Sequence, residues 1–379
     1  MEPVRPDGGV LVIDADGLDE LVSALIDHGY RVIGPTLRGN AIVLSELTSA
    51  DDLPTGWGVD TAPGHYRLRQ RADAARFGHC AGPQSWKQFL HPPRQRVWSG
   101  AVDGAVDPEP SDTAAPLAFL GVHGCDLAAI ATLDRVLGAA TSPDPAYLGR
   151  RQRLFVVAVD CTEPGDVCFC ASAGTGPQVR TGYDLALTER TEGDECRYLV
   201  TVGSADGAQI LTSVTRHEAA ADDVSWAAAA LRAAAQNMGR QLPQHDLRTL
   251  LAESRESSNW DDVASRCLTC GNCTMVCPTC FCTSVEDVSD LTGRHAERWM
   301  SWSSCFDLDF SQLHDGPVRR TGAARYRQWL THKFGTWHDQ FGSSGCTGCG
   351  RCIAWCPTGI DVTAELTKLA EPHQRDRGG

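Results

Sequence analysis

Long apolar runs are missing from this chain of 379 residues: none approaches the ~20 residues that a membrane-crossing helix needs. Basic charge is also in short supply. Lys and Arg number 34 against 48 Asp and Glu, and the net charge of −14 argues against nonspecific nucleic-acid binding. The stretch Met1–Gly9 is polar and Pro-rich and does not read as a signal peptide. No G-x-G-x-x-G fingerprint follows a strand, and Gly174-Thr175-Gly176 lacks that setting, so no Rossmann site for NAD(P) or FAD is expected. There is no Walker A loop. A nickel–iron active site is not expected either, because each C-x2-C pair is used up inside a longer run.

Cysteine is what the chain has in quantity, with 17 residues. Eight fall in two runs. Cys267, Cys270, Cys273 and Cys277 precede Pro278, and Cys346, Cys349, Cys352 and Cys356 precede Pro357. Both read C-x2-C-x2-C-x3-C-P, the spacing that binds [4Fe–4S] clusters in bacterial ferredoxins. Three thiols on one tight loop cover one face of a cube. The fourth points away and ligates the other cluster. The expected sets are therefore crossed: Cys267, Cys270, Cys273 and Cys356 for the first cluster, and Cys346, Cys349, Cys352 and Cys277 for the second. Paired zinc sites would not account for a three-plus-one run repeated twice. Metal ligation in a reducing, cytoplasmic setting is expected rather than disulfides.

A further group stands in the first half. Cys125 follows the strand-like run Leu117–Val122, and Cys161 follows Leu154–Val159. In a parallel pair both strand ends meet at one sheet edge, where ligand sites form. Cys168 and Cys170 follow closely. Cys125, Cys161, Cys168 and Cys170 are thus candidates for a third Fe–S cluster, set against a reading as buried structural cysteines. Cys280, Cys282 and Cys305 read as neighbours of the first run or as core. Cys80 and Cys196 carry no pattern and read as structural. Cys273, Cys277 and Cys280 also match the radical-SAM spacing, but that leaves the second run unexplained. Arg67, Arg69 and Arg71, and the arginines between Arg294 and Arg327, read as solvated surface or as docking charge.

The expected fold class is α+β. Short strands at Val10–Ile13, Arg31–Ile33 and Ala41–Leu44 alternate with a helix over Leu18–Asp27. Pro54–Gln84 reads mostly as loop, and Val102–Pro116 as a surface linker. A strand over 117–122, a helix capped by Asp126 and a strand over 154–159 make a right-handed parallel unit. Asp184–Thr188 and Arg197–Val202 suggest a hairpin. Helical periodicity begins near Val224 and recurs in Ala323–His332, inside the long insert between the runs. An N-terminal α/β domain over 1–217 is therefore expected, then an all-helical two-cluster ferredoxin-like domain over 218–370 and a flexible tail over 371–379.

The residues Gly121-Val122-His123-Gly124-Cys125-Asp126-Leu127, Asp160-Cys161 through Cys168-Phe169-Cys170, Asp184-Leu185-Ala186-Leu187-Thr188 and the run from Cys267 to Cys282 carry a family likeness. Together with the second run they resemble the iron–sulfur β subunit of cytoplasmic NAD(P)-linked [NiFe] hydrogenases, the sulfhydrogenases. The iron–sulfur subunit of anaerobic sulfite reductase is a close relative. Ser85-Trp86-Lys87 and His91-Pro92-Pro93 fit the same likeness. His123-Gly124 departs from it, since Arg-Pro or Arg-Ala is usual there. The resemblance implies an electron-transfer subunit without acid–base residues of its own. Its implied partners are an FAD/NAD(P)-binding reductase subunit and the [NiFe] hydrogenase small and large subunits. The alternatives are a sulfite reductase subunit and a free-standing iron–sulfur carrier, although a simple carrier needs far less chain.

Overall fold

The structure, a computed structural model, describes residues 9–101, 115–139 and 141–375. Most of the expected linker, residues 102–114, and the last four residues of the expected tail lie outside these. The strands of the first half are β1 (Leu11–Asp14), β2 (Arg31–Arg38), β3 (Ala41–Glu46), β4 (Trp57–Ala62), β5 (His65–Gln70), β6 (Arg94–Ala101), β7 (Leu117–His123), β8 (Phe155–Val159), β9 (Leu185–Glu192), β10 (Glu195–Val202) and β11 (His217–Glu218). Eight of them build one sheet in the order β11-β1-β10-β9-β8-β7-β2-β3. Its centre is parallel, through β2–β7, β7–β8 and β8–β9. β7 and β8 read as near-continuous apolar runs because both of their faces are covered.

Each face has its own helices. Asp14 caps the helix Ala15–Asp27 by accepting from the Gly17 amide, and Leu18, Leu21, Val22 and Leu25 line its buried stripe. That stripe and Ile210 and Leu211 of the helix Ala205–Leu211 pack on one face. Leu127, Ile130 and Leu133 of the helix Gly124–Leu133 pack on the other, with Trp86, Leu90 and Tyr147. The strand–helix–strand unit forms as the sequence implied, but Asp126 is not the cap. His123 occupies that position and Asp126 lies in the first turn, where its carboxylate is bound to Arg351. The segment 54–84 is less loop-like than expected. It contains the β4–β5 hairpin, which turns at Gly64, with φ +71.

The second half is built on the helices Ala221–Gln236, Leu247–Glu253, Asn259–Arg266, Gly322–Thr331 and Val362–Arg375. The last of these extends into the expected tail. Their core, including Leu251, Val263, Trp329, Leu330, Phe334 and Leu366, also takes in Val167 and Phe169 from the first half. The insert is not wholly helical. β12 (Thr283–Ser289) and β13 (His295–Trp302) form a hairpin, and β13 pairs with β6. The cause is long-range pairing: a polar strand such as Thr283–Ser289 has little intrinsic signal, and its sheet is completed from far upstream.

Candidate metal centre

The two cysteine runs fold alike. Gly271 and Gly350 sit at φ of 72 and 74, a left-handed conformation that suits glycine. Each starts a one-turn helix, Asn272–Met275 or Arg351–Ala354, that carries the third cysteine of its run. These turns lie against each other, and Asn272 Nδ2 donates to the Trp355 carbonyl. Thr279 Oγ1 donates to the Gly345 carbonyl at 2.6 Å, a second tie between the runs.

This packing brings thiols of the two runs together. Cys267, Cys270, Cys273 and Cys356 line one cavity, walled by Phe306, Tyr326, Trp329, Ile360 and Val362. Cys277 lies in the electrostatic neighbourhood of Cys346, Cys349 and Cys352. Among the described residues, no three His, Cys, Asp or Glu side chains gather tightly enough for a single ion. Thiols spread round a void suit a multi-iron cube, in which each iron takes one sulfur.

Each set also has donors aimed at sulfur. In the first, the amides of Thr269 and Ile360 donate to Cys267 and Cys356 Sγ at 3.4 and 3.3 Å, and Thr358 Oγ1 is 3.5 Å from Cys356 Sγ. In the second, the Gly348 amide donates to Cys346 Sγ at 3.4 Å, and Cys277 Sγ contacts Thr279 Oγ1 at 3.2 Å and Lys333 Nζ at 3.4 Å. Burial pushes the Cys273 and Cys352 thiols well up. Cys277 goes the other way. A hydrogen bond with Cys280, and then Lys333 and Thr279, hold it well below the usual thiol range against the effect of burial. Burial disfavours the Lys333 cation, but Cys277, Cys280 and Cys346 outweigh it and raise its pKa.

The four cysteines of the α/β half meet in a third place. Cys125, Cys161, Cys168 and Cys170 line one cavity at the C-terminal edge of β7 and β8, together with Cys80, Cys349 and Arg351. Cys80, read from the sequence as structural, belongs to this chamber. Its hydrogen bond with Cys168, followed by burial, pushes the Cys168 thiol well up. Burial does the same for Cys125 and Cys161.

The second run closes this chamber. Phe169 N donates to the Gly348 carbonyl at 2.8 Å, and Thr175 Oγ1 to the Thr347 carbonyl at 2.6 Å. A Cβ on Gly348 would stand 2.6 Å from the Cys170 nitrogen, and one on Gly350 would stand 2.5 Å from the Val167 oxygen. These glycines therefore admit the neighbouring loop that bears Cys168 and Cys170. Arg351 then spans to Asp126 in a bidentate pair at 2.8 and 3.2 Å, with both side chains buried.

The remaining residues separate cleanly. Cys280 and Cys282 lie near Lys333 beside the second set, and Cys305 neighbours Cys273 and Cys282. Cys196 is core, with Sγ 3.1 Å from the Ala74 carbonyl oxygen. Arg69 and Arg71 pair with Asp60 and with Asp73 and Glu163, while Arg67 is exposed. Arg298 pairs with Asp287, and Arg325 is buried on the carbonyls of Phe306, Arg319 and Arg320. Lys333, Arg351 and Cys80 are the site residues that sequence reasoning missed. Arg351 had a signal, since it lies between two cysteines of a run. Lys333 and Cys80 had none.

Residues 266–360 match the model of a 4Fe-4S dicluster domain. Over 351 residues, covering 90% of this chain and 92% of the relative, the sequence is 32% identical to sulfhydrogenase 2 subunit beta of Pyrococcus furiosus. With paired thiol sets of ferredoxin spacing and a likeness along nearly its full length, the chain belongs to the family of iron–sulfur beta subunits of sulfhydrogenases.

Proposed function

We propose that this chain is the electron-relay subunit of a hydrogenase complex. In this reading Cys267, Cys270, Cys273 and Cys356 hold one [4Fe–4S] centre. Cys277, Cys346, Cys349 and Cys352 hold a second, and Cys125, Cys161, Cys168 and Cys170 a third. Bound centres of this kind supply one-electron oxidation and reduction. The chain's own residues hold them, exclude water and tune them. One observation carries the reading: the three sites share walls. Cys352, of the second set, lines the first cavity, and Cys349, also of the second set, lines the third. A row of adjoining sites suits conduction from one partner to the next.

The ends of the row differ. Cys270 and its neighbour Leu268 are exposed, Leu268 by 64%, so the first site reaches the surface where a partner's cofactor can approach. The third site lies inside the α/β domain of residues 1–217, against the ferredoxin-like domain of 218–370. The partners in this reading are an FAD/NAD(P)-binding reductase subunit and a [NiFe] hydrogenase pair, in the cytoplasm. Anaerobic purification of the tagged chain from its own cells tests it. A flavoprotein and a nickel-containing pair should come with it. A sirohaem protein instead would move the role to sulfite reduction, and a lone chain would refute both assignments.

A further inference from the structure

Among 34 basic residues this chain has only three lysines. Lys368 is on the surface and paired with Asp262 and Glu365. Lys87 and Lys333 are 3% and 4% exposed, and among the described residues neither has a carboxylate partner. Lys87 donates to the Cys280 carbonyl at 2.8 Å and lies over the Trp302 ring. Lys333 spends its three donors on Cys277 Sγ at 3.4 Å, Thr279 Oγ1 at 2.9 Å and the Gly345 carbonyl at 3.1 Å. It sits on a π-helical turn, His332–Thr336, a local irregularity found disproportionately at functional sites.

A buried cation without a counter-charge is strongly disfavoured. The anionic charge available to Lys333 is that of the thiolate set containing Cys277. Each ferredoxin-type set has three N–H or O–H groups of backbone, threonine or lysine against sulfur, and Cys277 has in addition the neutral Cys280 thiol. In the first set all three are neutral. In the second, one is an ammonium. Arg266, whose charge is felt at Cys267 of the first set, is already paired with Asp262 and Glu365.

We infer that Lys333 makes the centre held by Cys277, Cys346, Cys349 and Cys352 easier to reduce than the centre held by Cys267, Cys270, Cys273 and Cys356. Lys333 is a tuning residue for that centre. The reduction adds one electron, drawn from the reductase partner, and moves no proton. The inference rests on the relay reading above. Its physical basis is that hydrogen bonds and net charge at the sulfurs set cluster potentials.

The test is a redox titration of the full chain, loaded with iron and sulfide under argon and followed by electron paramagnetic resonance. Lys333→Gln keeps a hydrogen-bond donor and removes the charge. One of the two ferredoxin-type midpoints should shift to lower potential and the other stay. Both midpoints unmoved, with both centres present, would overturn the role of Lys333 and leave the relay standing. Absence of four-iron centres in the unmodified chain would overturn the relay and the inference together. A second measurement covers the case in which the variant loses a centre. In the unmodified chain, a paramagnetic relaxation agent in solution should broaden the centre beside the exposed Cys270 more strongly, and that centre should be the one reduced at lower potential. The reverse order overturns the inference.

Discussion

Replacing Asp126 with Ala should be among the most damaging single changes outside the cysteines. Its partner Arg351 is buried, and among the described residues its other hydrogen bond is to the Gln84 carbonyl, at 3.1 Å from Nε. Removing one member of a buried pair leaves an uncompensated charge and costs about 3–5 kcal/mol. With an m-value of about 3 kcal/mol/M, that lowers a urea midpoint by about 1–2 M. The assay is anaerobic urea unfolding of the iron-loaded protein, followed by circular dichroism. Removing both charges, as Asp126→Leu with Arg351→Met, should recover most of the loss, since apolar replacement of a buried pair is often neutral. Arg31–Glu46 serves as the control. Its side chains are 46% and 50% exposed, and Glu46→Ala should cost no more than about 1 kcal/mol. A loss below about 1 kcal/mol for Asp126→Ala would refute the claim that this pair fastens the helical module to the sheet.

Other outcomes follow from the same geometry. Cys270→Ser and Cys356→Ser should remove the same centre although they lie in different runs, whereas Cys277→Ser should remove the centre of the second run; iron analysis with electron paramagnetic resonance checks this. Gly348→Ala should lower iron content and stability together, because φ is +67 there and the new Cβ would meet the Cys170 backbone. The left-handed backbone alone costs about 1–2 kcal/mol. Stripping iron with a chelator should loosen 267–282 and 346–360, seen as faster hydrogen exchange, while β7 and β8 stay protected by their own core.

The parts legible in the sequence were those with short-range rules. The spacing from Cys267 to Cys277, repeated from Cys346 to Cys356, marked the 4Fe-4S dicluster region, because short-range loop geometry sets that spacing. The strand–helix–strand unit around Cys125 could be read because β7 and β8 are unbroken apolar runs. That unit in turn located the edge where Cys125 and Cys161 meet. What stayed hidden depended on distant partners. β12 is exposed along its length, and its sheet is completed by β6. Cys80 enters the third chamber from a loop without a motif. Lys333 reaches Cys277 only because the insert folds back on both runs. Asp126 looked like a helix cap, since its true partner Arg351 lies far down the chain.

The account stands most directly on the number of centres held by the chain alone. Iron and acid-labile sulfide should be counted in the anaerobically loaded protein, with electron paramagnetic resonance of the reduced form. About twelve irons per chain are expected, as three four-iron centres, with spin–spin interaction between neighbours. About eight, unchanged when Cys125 and Cys168 are replaced by Ser, would contradict the third site and with it the continuous row from the Cys270 surface into the α/β domain.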